Sequence, residues 1–222
     1  MKFSPFVFIW SLVLVGFAIL VGVSSQVGPE TRAAIFKESG LIETMSAVGY
    51  FVAFGLLLFL LVKQKNPAGW SLCIMLLCFG FREMDFDKRF TSMGIFKSRF
   101  YSSAEVLLPE KIMGLLITVA LLVCLFFVIK TYFRPFLSGL KKLDPSALTV
   151  FFALGLMVFA KSIDGLPRKL KPLGIMPTDQ IKELAKVLEE SLETAVPFLL
   201  IAAIWGAYRA VKANSGNLDE PA

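Results

Sequence analysis

Apolar positions along this chain fall in long unbroken runs, without the period-2 alternation of a half-buried strand. Three runs approach the length of a membrane span: residues 5–23, 44–62 and 112–129, of 19, 19 and 18 residues. Three more are short: 70–81, 148–160 and 195–207, of 12, 13 and 13 residues. The pattern predicts an all-α polytopic membrane bundle of six transmembrane helices with short interfacial helices, one of them in "VGPETRAAIFKESG". It forms a single transmembrane domain over 1–212, followed by a disordered polar tail over 213–222. The run at 5–23 exceeds the roughly 7–15 residues of a signal-peptide core and reads as an uncleaved first span.

The short runs carry the functional question. A spanning helix needs about 20 residues to cross about 30 Å of hydrocarbon, and twelve residues rise only about 18 Å. To cross, the third helix must continue through its charges to about Lys88, and the fifth must take in Lys161 and Asp164. The sixth must begin early enough to include Glu193 and Glu190. Alternating the spans puts all three charged ends on one membrane face, together with Glu43, Glu110 and Lys111. Of the 17 acids, 14 fall on that face; only Asp144, Asp219 and Glu220 fall on the other. The opposite loops, "KQKNPAG" and "KTYFRPFLSGLKKLDPS", and the end "YRAVKAN" are basic and poor in acids. With Lys2 ahead of the first run, they place both termini in the cytoplasm of a multi-pass protein of the bacterial inner membrane. The raw Lys/Arg count runs the other way, 14 on the acidic face against 9. Many of those cations are assigned to carboxylate partners at the site, and the fifth loop is long, which weakens their weight in the count.

Three constellations carry the candidate chemistry. In "FREMDFDKRF", read as helix, Arg82, Asp85 and Arg89 fall within about 60° of one another, so Asp85 can pair with either arginine. Glu83 and Asp87 share another face and repel unless a cation, a proton or a basic residue lies between them. A bare charge at mid-membrane costs about 2.5–3.5 kcal/mol or more, so burial implies pairing. In "FAKSIDGLPRKLK", Lys161 suits a helix C-terminus, whereas Asp164 sits at the wrong end of the dipole and needs a cation, either Lys161 or an arginine of the third helix. Gly165 can cap that helix and Pro167 stops it. In "QIKELAKVLEESLETAVPF", Lys182, Glu183, Lys186, Glu189, Glu190 and Glu193 occupy an arc of about 120° on an amphipathic helix entering the sixth span. Between residues 90 and 105, Phe90, Phe96, Phe100 and Tyr101 alternate with Lys97 and Arg99. That is the composition of an interfacial aromatic belt with snorkelling cations, or of a lid over a phosphate. Gly49 and Ala53 offer a close helix approach.

Composition narrows the classes. The chain has 222 residues, 56% of them hydrophobic, a mean hydropathy of +0.73 and a formal charge of +6. It contains no histidine, which removes His-ligated haem, His-ligated zinc and His-based triads. Cys73, Cys78 and Cys124 lie in apolar runs without a C-x-x-C and read as small apolar residues. Membrane lipids are the expected partners, other membrane proteins are left open, and no basic soluble domain exists to hold nucleic acid.

"FREMDFDKRF", "KSIDGLP" and "LEESLE", set among these spans, resemble segments of uncharacterised bacterial polytopic inner-membrane proteins, a resemblance that implies no activity. "DGLPR" matches the start of the CDP-alcohol phosphotransferase motif, but it is short by one residue and lacks the downstream glycine and two aspartates. The motifs of rhomboid proteases and PAP2 phosphatases are missing too, as is the GxGD of one intramembrane aspartyl protease group. The reading favoured by the residues is an accessory protein with a mixed-charge pocket at one membrane face, binding a lipid head group or small charged ligand. Arg82, Arg89, Lys97 and Lys161, with Arg99, would face phosphate; Glu83, Asp87 and Glu190 would face an amine or cation. One alternative is an enzyme acting on a lipid, with Asp85 and Asp164 as acid and base, or with Mg²⁺ or Mn²⁺ on Glu83, Asp87, Glu190 and Glu193. The other is a small proton- or cation-coupled transporter.

Overall fold

The structure, a computed structural model, describes residues 10, 11, 14–16, 18, 19, 22, 26, 28, 30, 31, 35, 36, 40–64 and 69–216. From residue 41 onward they form helices α1 (Leu41–Gln64), α2 (Trp70–Glu83), α3 (Phe86–Phe90), α4 (Ser98–Ser102), α5 (Leu108–Lys141), α6 (Pro145–Ile163), α7 (Leu166–Leu170) and α8 (Asp179–Gly216). A single 3₁₀ turn, Lys171–Leu173, follows α7. No strand occurs among the described residues.

Among the described residues, four helices are long and apolar enough to cross a membrane: α1, α5, α6 and, over Asp179–Lys212, α8. The expectation of six spans is met only to that extent. Most of the first expected span, 5–23, lies outside the described residues. The third run becomes α2, whose 14 residues rise about 21 Å, short of the bilayer core.

The core forms where α1, α2, α6 and α8 meet, around Tyr50, Ala53, Leu57, Cys73, Ala153 and Val196. Small residues set the spacing. Ala53, Ala153 and Ala160 are fully buried, and a β-carbon on Gly49 would lie 2.9 Å from the Pro197 ring. Without a hydrophobic drive between helices in lipid, such close packing is what holds a bundle together. Trp10 joins this core: its indole N–H donates to Thr149 Oγ1 at 3.2 Å, and its ring meets Phe152 edge-on. The single helix α5 is nearly bare. Gly114 is its only buried residue among those described, and leucines, valines and phenylalanines cover its surface, as lipid contact requires.

Local signals act as the sequence implies. Asp144 caps α6, its Oδ2 accepting from the Ala147 N–H at 2.9 Å, with Pro145 at the first helical position. Gly165 ends the turn after α6 at φ +63°. Helix α8 runs unbroken for 38 residues, so the amphipathic stretch and the sixth apolar run are one element. It continues through Gly216, past the expected tail boundary at 213; residues 217–222 lie outside those described.

Candidate charged site at the bundle end

Contacts between helices fix the level of each charge. Gly69 lies against Leu61 and Gly80 against Phe51, so α2 runs back along α1. Thr194 of α8 donates to the Ile42 carbonyl at the start of α1, while Lys63, at its end, meets Tyr208. The N-terminus of α1, the C-termini of α2 and α6, and the middle of α8 therefore share one end of the bundle. Basic Lys63 marks the other end.

Glu83, the last residue of α2, is buried there, with 9% of its surface exposed. It stands beside Ser46 and within electrostatic reach of Glu43 and Glu193. Ser46 is the sixth residue of α1, about 7.5 Å of helical rise below that helix's first residue, so Glu83 sits beneath the rim. Arg82 Nη1 pairs with Glu83 Oε1 at 2.9 Å, from a side chain that is half exposed. Tyr50, also buried, faces Glu83, Arg82 and Glu193. Glu193 lies within reach of Arg82, Lys161, Asp164 and Glu43. Glu190 lies beside Glu193, Glu43, Glu189 and Lys186, and Glu189 beside Asp164 and Lys161. Glu43, Glu189, Glu190 and Glu193 are half-buried. The pattern has a helical cause: Glu43, Ser46 and Tyr50 follow one face of α1, and Glu189, Glu190 and Glu193 follow one face of α8.

Two hydroxyls are buried near this end: Ser191 Oγ has no hydrogen-bond partner among the described residues, and Ser46 Oγ lies against the Glu83 carboxylate, which accepts from it. Pro197 adds a further acceptor at the same end, because it has no N–H to give the Glu193 carbonyl one helical turn back.

Asp164 caps the C-terminus of α6 and pairs with Lys161. The Lys161 hydrogen bond, with the charges of Lys161, Lys169 and Arg168, holds the Asp164 carboxyl below its ordinary range. Lys169 Nζ donates to the carbonyls of Lys161 and Ser162, closing the end of α6. Of the two partners expected for Asp164, the structure selects the lysine.

Several expectations are overturned. The third helix does not continue to Lys88. It stops at Glu83, and Asp85 adopts a left-handed conformation with φ +50°, which Asp tolerates better than most residues. The break rotates everything beyond it. Asp85 pairs with Lys88 at 2.6 Å, not with Arg82 or Arg89. Asp87 no longer shares a face with Glu83; its Oδ2 packs over Gly94, 3.0 Å from where a β-carbon would stand. The proposed metal set of Glu83, Asp87, Glu190 and Glu193 is therefore divided. Among the described residues, no three acidic or cysteine side chains come together as a metal ion needs. Arg89, Lys97 and Arg99 are exposed on the α3–α4 stretch and are not among the groups that act most strongly on Glu83, Glu190 or Glu193. There, Phe81, Phe86 and Phe90 stack at centroid distances of 4.8 and 4.6 Å with their rings exposed, as an interfacial belt does. The expectation of a wholly buried charge set also fails. Glu83 is buried, its acidic neighbours are half-buried, and Arg82 and Lys161 are exposed.

Comparison with known proteins returns no match to a family model, to a curated protein or to a solved structure, so the geometry at the bundle end carries the functional reading alone.

Proposed function

We propose that this chain is a membrane-embedded binding protein whose charged bundle end receives a lipid head group or a small charged ligand in an accessory role. The observation that carries the reading is the placement of Glu83 and Ser46 below the rim, with Glu43 and Glu193 within electrostatic reach of the Glu83 carboxylate. Neighbouring carboxylates repel unless something positive lies among them, and the cationic part of a polar ligand entering from the head-group layer supplies it. The half-open form of the cluster suits a site at that depth better than a sealed catalytic chamber.

On this reading residues 5–23 and the short α2 complete a six-span bundle. The basic end at Lys63 and Tyr208 faces the cytoplasm of a bacterial inner membrane, as do both termini. The shortness of α2 has a role here: it lets head groups reach Glu83.

The test is native mass spectrometry of the purified protein, with metal analysis of the same sample. A retained lipid or small polar molecule, lost in Ser46→Ala and Glu83→Gln, is the expected result. Retention that neither substitution changes refutes the site. Stoichiometric Mg²⁺ or Mn²⁺ would move the reading to the enzyme alternative.

A further inference from the structure

Residues 84–107, which carry α3 and α4, lie apart from the carboxylate cluster, and α5 fixes their depth. The Ser92 N–H donates to Glu110 Oε2 at 3.0 Å. The Tyr101 and Thr118 hydroxyls hydrogen-bond at 3.2 Å. The Phe100 ring lies 2.8 Å from where a β-carbon on Gly114 would stand. The apolar run of α5 begins at residue 112. Glu110 precedes that run, and Thr118 lies about 9 Å into it at the helical rise. The stretch is thus held at the boundary of hydrocarbon and head groups, within the depth of about 5–10 Å at which amphipathic elements rest.

Two kinds of side chain are presented there. A row of rings leads out from the bundle. Phe51 of α1 meets Phe81 at 5.5 Å, Phe81 meets Phe86 at 4.8 Å, and Phe86 meets Phe90 at 4.6 Å between centroids. Phe90 is 70% exposed and Phe96 56%. Beside them, Arg89, Lys97 and Arg99 are exposed and form no ion pair among the described residues. The acids nearby are half-buried: Asp85 pairs with Lys88, Asp87 shares Gly94 with the Lys97 stem, and Glu110 accepts from Ser92. Glu105 is the one exposed acid over 84–111.

We propose that residues 84–107 form a docking surface for anionic phospholipid. Phe86, Phe90 and Phe96 enter the upper acyl layer, and Arg89, Lys97 and Arg99 hold phosphates above them. The surface depends on the four long helices spanning a membrane and is independent of the bundle-end site.

Continuity argues for lipid as the occupant. The stretch is fastened to α5, whose surface is almost wholly exposed and apolar, so lipid covers the helix on which these rings rest. Cations at the edge of an apolar row are what snorkelling produces, with stems on apolar surface and charged ends in the head-group layer. The turns also close their own backbone, as this depth requires. The Lys97 N–H donates to the Gly94 carbonyl and the Ser103 N–H to that of Arg99, and the Thr91 hydroxyl donates to the Asp87 carbonyl at 2.6 Å. Charge complementarity selects the lipid class: three unpaired cations face outward against one exposed acid. Each Lys or Arg near an anionic surface strengthens the attraction about fivefold.

The test places the full chain in nanodiscs of equal parts phosphatidylcholine and phosphatidylglycerol and counts retained lipid by native mass spectrometry. The expected result is phosphatidylglycerol retained about fivefold over phosphatidylcholine, the scale of one such cation. The triple variant Arg89→Gln, Lys97→Gln, Arg99→Gln brings the ratio to parity and melts with the native chain in detergent, since none of the three groups holds an ion pair. Glu83→Gln leaves the ratio unchanged. In a second arm, Phe90→Cys and Phe96→Cys, in a chain whose native cysteines are replaced, carry bimane and meet brominated lipids. Bromine near the head of the acyl chain quenches more than bromine at its end. Equal retention of the two lipids by the native chain, or an enrichment that the triple variant keeps, overturns the proposal. Enrichment lost in Glu83→Gln and kept in the triple variant assigns the anionic lipid to the bundle end instead. Bimane that neither brominated lipid quenches puts the rings in water and overturns the docking surface.

Discussion

Arg82 and Glu83 provide the sharpest energetic test, because their exposures differ so much. The Glu83 side chain is 7% exposed and that of Arg82 is 49% exposed, at a separation of 2.9 Å. Two unit charges about 4 Å apart attract by about 4 kcal/mol at an effective dielectric of 20. A fully exposed pair retains only about 0.2–1 kcal/mol of this, whereas removing one partner of a fully buried pair costs about 3–5 kcal/mol. With one partner buried and the other half in solvent, a coupling of about 1–2 kcal/mol is expected between those limits. Arg82→Ala strands a buried carboxylate and lowers the melting temperature by about 2–8 °C, at about 2–4 °C per kcal/mol for a chain of this size. Glu83→Gln keeps the shape, removes the charge and costs less. The double variant melts above Arg82→Ala alone, since no charge is left stranded. The assay is thermal melting of the four proteins in one detergent at neutral pH. Strict additivity of the two single effects would refute the reasoning, because it would mean that Glu83 is solvated and needs no partner.

Other consequences are open to the same kind of measurement. Lys161 holds the Asp164 carboxyl below its ordinary range, so the pair contributes stability above the unfolded value near pH 4 and loses it as pH falls through the lower folded value. Asp164→Asn should therefore flatten the melting profile on the acid side and leave it unchanged in shape above about pH 5; an unchanged acid limb would remove the pair from the account. Gly49→Leu, against the rigid Pro197 ring, should destabilise by about 1–3 kcal/mol. Gly55→Leu, with open space around it, should be near neutral, and equal effects would contradict the close approach of α1 and α8. Trp10→Phe removes the bond to buried Thr149 and should cost about 0.5–1.5 kcal/mol. No loss would detach the N-terminal segment from the core.

The parts of this fold written in hydrophobicity were legible. Continuous apolar runs at 44–62 and 112–129 became α1 and α5, lengthened by three and two residues in α1 and by four and twelve in α5, where polar residues still favour helix. The cap at Asp144 and the stop at Gly165 could be read because each depends on one residue and its neighbours. The length deficit of the short runs also pointed the right way: Glu83, Asp164 and Glu193 do meet at one bundle end. What could not be read was the turn at Asp85. A left-handed residue changes no hydrophobic period, yet it turns Asp85, Asp87 and Arg89 away from Glu83, and every pairing drawn by helical spacing across that turn failed with it. Ser46 and Tyr50 were missed for a different reason. An uncharged residue inside an apolar run gains meaning only when a neighbouring helix brings a charge to it. Their spacing from Glu43 along one face of α1 was the available signal.

The account stands on the claim that the charged ends of α1, α2, α6 and α8 open on one side of the membrane. Single cysteines at Glu43, Asp164 and Glu190, and for contrast at Lys63 and Tyr208, in a chain whose three native cysteines are replaced, can be challenged with a membrane-impermeant maleimide in sealed, uniformly oriented vesicles. The account predicts that the first three react from one side only and the other two from the opposite side only. Reaction of Asp164 or Glu190 from the side that labels Lys63 would contradict it.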